Sequence, residues 1–183
     1  MSTVQLVRDQ VLRPTVGNAE GDHCRDHRFL DSAGVPNSGP PVYVLARRPG
    51  TNVFRPRSSE HPDDETFSGL LMVRVEGRIF FANAEQIQHK IKLLVDETRP
   101  KIVALHLRGV PDLEFTALKM LADAEKRNCE RGIRLWLVGA NPEVLEMIRR
   151  SPLGDALGPD AMHFNPEITV SKYLKDLAQP KKA

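Results

Sequence analysis

Cysteine is scarce in this chain. Cys24 and Cys129 are the only two among 183 residues, too few for the disulfide framework on which small secreted domains depend. A reducing compartment is the natural expectation. Long hydrophobic runs are also missing. No apolar stretch reaches the roughly 20 residues of a membrane helix, and no basic start leads into an apolar signal segment. The sequence as it stands reads as soluble; if it belongs to a membrane protein, the membrane part lies elsewhere. Nor is there an excess of one charge, since 26 basic residues face 24 acidic ones. Nucleic-acid binders usually carry a clear basic excess, and aromatics at 5% leave few platforms on which bases can stack, so no nucleic-acid partner is expected. Catalytic signatures are absent as well. There is no GxxxxGK[ST] phosphate loop and no GxGxxG, and no GxSxG elbow. The acids fall at the spacings of solvated helix faces. The expectation is a protein that is not an enzyme and needs no cofactor.

What is present suits one domain. Forty per cent of the residues are hydrophobic, enough for a sizeable single core. Residues 17–41 are rich in Gly, Pro, Asn, Asp and Ser without periodicity, so residues 1–41 read as a flexible N-terminal linker or extension, with residues 4–16 a fragment of helix or linker. Residues 42–178 read as the folded domain and residues 179–183 as a frayed tail. Within the domain, 42–45, 70–75 and 79–82 read as strands, the last two joined by a tight hairpin at Glu76-Gly77-Arg78. The period then becomes helical: Ile87, Ile91, Leu94 and Val95 mark a helix over 84–98, stopped by Pro100. Residues 102–107 form an apolar run expected of a strand covered on both faces. Residues 115–131 read as a helix with Gly132 as its C-terminal cap, and 133–138 as another buried strand. Asn141-Pro142-Glu143 and Asn165-Pro166-Glu167 share a helix-start signature of Asn cap, first-turn Pro and first-turn acid. Strands alternating with helices predict an α/β fold with a mixed, mostly parallel central sheet and four to five helices packed on it.

Two features invite a site. Cys24 and His27 have the short spacing of zinc ligands. A structural site needs four ligands, however, and no second pair follows, so no metal site is expected. His106, inside an apolar strand, is expected to be a hydrogen-bonded core histidine. The loop 107–118 is more informative because it joins the end of a buried strand to a helix start. Ligand crevices form beyond the carboxyl ends of strands, and a helix N-terminus offers free N–H groups to an anion. Arg108, Gly109, Val110, Pro111, Asp112, Glu114 and Thr116 are therefore the candidate partner- or anion-binding residues. Asp112, Glu114 or Thr116 can equally serve as plain helix caps.

Here the chain resembles a known family. Residues 42–54, the stretch 69–75 followed by Ile79-Phe80-Phe81-Ala82-Asn83-Ala84-Glu85, and the loop 110–118 are similar to the STAS domain shared by sulfate transporters and anti-sigma-factor antagonists. FFANAE favours the SulP transporter branch. In antagonists the loop carries a Ser phosphorylated by a partner kinase; by that alignment Glu114 and Phe115 take the Asp and phospho-acceptor places. Phe115 has no hydroxyl, which leaves Thr116 as the candidate phospho-acceptor. The resemblance implies a non-catalytic C-terminal module at the cytoplasmic face of the cell membrane. It would regulate transport, assembly or trafficking of an anion transporter for sulfate, bicarbonate or a dicarboxylate-like anion. The implied partners are the transmembrane domain of the same transporter, a second copy in a homodimer, and a protein or a nucleotide or anion at 108–116. Membrane contact would come only through the transporter's own spans. The alternatives are a free-standing antagonist-type signalling protein and a nucleotide- or anion-binding sensor.

Overall fold

The computed structural model of the chain describes residues 40–178. The expectations for the linker, for Cys24 and His27, and for the tail beyond residue 178 lie outside those described residues.

Six strands form one mixed sheet in the order β2-β1-β3-β4-β5-β6. Strand β1 (Val42–Arg47) runs antiparallel to both β2 (Phe54–Pro56) and β3 (Leu70–Glu76). From β3 onward the pairing is parallel, through β4 (Ile102–Gly109), β5 (Arg134–Val138) and β6 (Met162–His163). β4 lies centrally, and its first six residues are buried. Because side chains alternate along a strand, β4 divides its residues between two cores. Val103, Leu105 and Leu107 face the larger one. There they meet Ile87 and Val95 of α1 (Phe81–Thr98), Leu118 of α2 (Phe115–Glu130), Ile148 of α3 (Pro142–Arg149) and Leu153 of α4 (Pro152–Leu157). Ile102 and Ala104 face the other core, closed by Val170 and Tyr173 of α5 (Pro166–Ala178). This is the α/β architecture expected, with five helices on a mixed, mostly parallel sheet.

The cap signatures act as their chemistry requires. Asn141 Oδ1 accepts from the Val144 N–H at 2.8 Å, and Asn165 Oδ1 from the Ile168 N–H at 2.8 Å. Gly132 sits just past α2 in the left-handed region (φ 74°), which closes the helix without a Cβ clash.

The expected hairpin at 76–78 does not form. Gly77 turns the chain (φ 87°), but its N–H goes to Gly109 O at 2.8 Å, toward the neighbouring parallel strand and not back along β3. Ile79 makes only a single parallel bridge, to Leu113. The run from Phe80 to Ala82 opens α1 instead, three residues before the expected start. Asn83 is the cause: its Oδ1 accepts from the Phe80 N–H at 3.0 Å and its Nδ2 donates to Arg78 O at 2.9 Å. That local closure overrides the strand preference of adjacent aromatics. Sequence reasoning also left β2, α4 and β6 unassigned. They are three, six and two residues long, too short to show a period.

Candidate functional site

Residues 109–116 leave the carboxyl end of β4 and reach the start of α2. The loop is braced on two sides. The Ile79 N–H donates to Asp112 O at 3.1 Å, and the Glu114 N–H donates to Ile79 O at 3.0 Å. On the far side, Asn141 Nδ2 donates to Val110 O at 3.0 Å and to Pro111 O at 3.1 Å. Val110 and Leu113 are 1% and 0% exposed, so the loop's apolar side chains anchor it in the core while its polar ones face outward.

The two acids do not cap their own helix. Glu114 is the N-cap residue of α2, yet its side chain makes no cap bond there. Its Oε2 accepts from the Phe81 N–H at 3.3 Å, so it serves the first residue of α1. Asp112 Oδ2 pairs with Arg78 Nε at 2.8 Å, and Arg78 Nη2 lies 3.6 Å from Glu114 Oε1. Side-chain capping by Asp112 or Glu114 is thus corrected: both carboxylates face Arg78, which offsets their charge. Thr116 is exposed in the first turn of α2. Phe115 just before it is 73% exposed, and Phe81 at the start of α1 is 67% exposed. Phe164, just past β6, is more open still at 81%, so what distinguishes Phe81 and Phe115 is their place at two adjoining helix starts. Beside Phe115, a cleft of about 390 Å³ runs between α2 and α3, lined also by Leu118, Met147, Glu143 and Glu146.

Arg108 does not join this group. It is exposed near the end of β4, where the register to β3 shifts, and among the described residues it shares no ion pair or side-chain hydrogen bond with Arg78, Asp112 or Glu114. The site therefore brings together 110–116, Arg78, Phe81 and Asn141, and leaves Arg108 behind. Arg78, Phe81 and Asn141 were not expected there. No sequence signal places residue 78 against residue 112 or residue 141 against residues 110 and 111, because both contacts arise from the packing of parallel strands. His106 is buried as expected, at 5% exposure. It is not fully hydrogen-bonded, since Nδ1 has no partner. Burial first, then the charges of Arg74 and Arg108, hold its pKa at about 4. Among the described residues no group of three or more His, Cys, Asp or Glu can hold a metal, and no helix is long and apolar enough to cross a membrane.

The model of the STAS domain matches residues 61–167. High affinity sulfate transporter 2 of Stylosanthes hamata is 27% identical over 144 residues, which is 73% of this chain and 22% of that protein. Probable sulfate transporter 4.2 of Arabidopsis thaliana is 27% identical over 135 residues, covering 68% of this chain and 20% of the relative. The chain thus spans about a fifth of the curated relatives it matches. In fold, it superposes on the murine Slc26a9 anion transporter in the inward-facing state with TM-score 0.61 at 18% identity, covering 74% of this chain and 22% of that one. It superposes on an anti-sigma factor antagonist from Mycobacterium paratuberculosis with TM-score 0.51 at 18% identity, covering 76% of this chain and 97% of that one.

Proposed function

The chain belongs to the STAS domain family, and on that premise we propose that it is the non-catalytic regulatory module of a SulP-type anion transporter. The sulfate transporters similar to it support this reading. In it, the domain sits at the cytoplasmic face of the membrane, held there by the transmembrane part of the same transporter. The surface formed by Phe81, Phe115 and the braced loop 110–116 makes the regulatory contact.

The observation that carries this reading is Phe115. By resemblance it stands where the antagonist branch has its phospho-acceptor, and it is 73% exposed at the first residue of α2, next to the braced loop. An exposed aromatic on a fixed backbone is suited to a protein surface: it offers large apolar area at little cost in ordering. It is unsuited to phosphorylation. Asp112 and Glu114 beside it disfavour a free anion as the occupant, even with Arg78 offsetting part of their charge.

The test is capture of the detergent-solubilised transmembrane part by the 183-residue chain. Phe115→Ser is expected to weaken capture at least about tenfold, the loss typical of a central interface aromatic. The pair Asp112→Ala and Glu114→Ala is expected to weaken it less. Equal capture by the wild type and Phe115→Ser would remove the loop from the contact. The fold shared with the antagonist favours one other reading, a free-standing signalling protein. A kinase that phosphorylates Thr116 in cells, with binding of that kinase lost in Thr116→Val, would decide for it.

A further inference from the structure

The cleft of about 390 Å³ between α2 and α3 has a chemistry of its own. Leu118, 2% exposed, is its buried lining; Phe115 and Met147, 73% and 37% exposed, are its open apolar lining. From α3 and its C-cap come Glu143, Glu146, Met147 and Arg150. They recur at spacings of three and four residues, so they form one stripe on the helix. Val144 and Ile148, at 1% and 0% exposure, hold α3 in the core, which leaves the stripe free. The two walls are fixed to each other, because Asn141 Nδ2 at the start of α3 donates to Val110 O and Pro111 O of the loop that leads into α2.

Charge narrows the occupant. Arg150 Nη2 pairs with Glu146 Oε1 at 2.7 Å, while Glu143 shares no ion pair among the described residues. Asp112 and Glu114, just before Phe115, share the single guanidinium of Arg78. Four carboxylates thus stand around Phe115 against two guanidiniums. As a first-turn acid Glu143 is favoured by the dipole of α3; that explains its position and leaves its charge open to a partner. A free anion is repelled by this balance. A small apolar molecule needs a pocket that encloses most of its surface, and Phe115 and Met147 stand open. An uncharged chain segment would cover Glu143 and leave it desolvated without a partner. A segment that lays a large apolar side chain over Leu118 and a Lys or Arg at Glu143 meets every demand. In a helix, residues three or four apart supply both from one face, and grooves are common seats for such helices. Met147 suits that use, since its flexible, polarisable side chain adapts to what covers it.

We propose that the cleft between α2 and α3 seats a basic amphipathic helix of the partner protein, its apolar side chains against Leu118, Phe115 and Met147 and its cation at Glu143. The proposal rests on the reading above for the identity of the partner, and on the lining of the cleft alone for its chemistry.

The probe is a fluorescent synthetic peptide of three Leu-Lys-Lys-Leu repeats, titrated with the 183-residue chain at constant ionic strength, so that screening does not change. Fluorescence anisotropy reads the binding. Saturation in the micromolar range is expected, with a Leu-Glu-Glu-Leu counterpart at least about tenfold weaker. Met147→Gln is expected to weaken the Lys peptide by about tenfold, and Glu143→Gln by a smaller factor in the same direction. Glu97→Gln, at an exposed acid near the end of α1, is expected to change nothing. The proposal is overturned if the two peptides bind alike, if Met147→Gln leaves the affinity unchanged, or if Glu97→Gln weakens binding as much as Glu143→Gln. It is also overturned if sedimentation shows a dimer that Met147→Gln dissociates, which would assign the cleft to a second copy of the chain. Capture of the transmembrane part separates the two readings. Capture lost in Phe115→Ser but untouched by Glu143→Gln and Met147→Gln would sink the basic helix alone; peptide binding as expected with no capture at all would sink the transporter reading and leave the cleft's chemistry standing.

Discussion

Arg78 decides how the loop's charge reads. Taken alone, Asp112 and Glu114 make the segment 110–116 look acidic; Arg78 at 2.8 Å and 3.6 Å offsets part of that charge and leaves the site net negative. These side chains are between 35% and 58% exposed, so the pairs stabilise the fold by no more than about 1 kcal/mol. Arg78→Gln should leave the melting temperature within a few degrees of wild type, as differential scanning calorimetry can verify. A drop of more than about 2 kcal/mol would mean that the brace is structural. His106 behaves differently. Its folded pKa of about 4 lies below the ordinary value of 6.5. Between these two values the unfolded chain binds the proton and the folded one does not, so stability rises with pH across that window. His106's contribution should be flat above about pH 7 and fall by roughly 3 kcal/mol as the pH drops toward 4. Urea unfolding at several pH values would show it, and His106→Gln should flatten the slope; an equally steep slope in that variant would assign the acid sensitivity elsewhere. At this scale the sequence was a partial guide. It marked Asp112, Glu114 and His106 as residues of interest. It could not show that Arg78, more than thirty residues before Asp112, meets both acids.

The elements divide by how local their causes are. Asn141 and Asn165 announce helices because cap, proline and acid lie within three residues. Their side chains differ in a way no local pattern reveals. Asn165 caps α5 through the Ile168 N–H. Asn141 caps α3 and also donates to Val110 O and Pro111 O. Asn165→Ala should therefore cost about 1 kcal/mol and Asn141→Ala about 2 kcal/mol or more. Denaturant midpoints would test the ranking, and equal losses would show that the bonds to the loop contribute nothing. The junction of α3 and α4 is tighter still. A Cβ at Gly154 would lie 2.4 Å from Ile148 O and 2.8 Å from Arg149 Cα. Backbone cannot give way as a flexible side chain can, so Gly154→Ala should cost at least about 2 kcal/mol, visible as a lowered thermal midpoint. The hairpin shows the converse error. Ile79 to Ala82 has strand composition, and the side chain of one residue just beyond it, Asn83, turned it into a helix start.

For the whole molecule, the α/β class was legible because apolar runs and helical periods alternate along the chain. The order β2-β1-β3-β4-β5-β6 was not, since strand adjacency depends on packing between distant segments. That order makes the contact surface. It sets the starts of α1 and α2 side by side at the carboxyl edge of the parallel strands, with Phe81 and Phe115 both exposed. Two open aromatics on a braced edge suit the proposed contact, since aromatic side chains are frequent anchors of protein interfaces. If the domain belongs to a SulP-type transporter as proposed, the most direct measurement is anion uptake by that full-length protein, with Phe81 and Phe115 both replaced by serine and compared with wild type at equal abundance in the membrane. Uptake should fall by roughly tenfold or more, the scale expected when interface aromatics are lost; unchanged uptake would contradict the claim that this surface regulates transport.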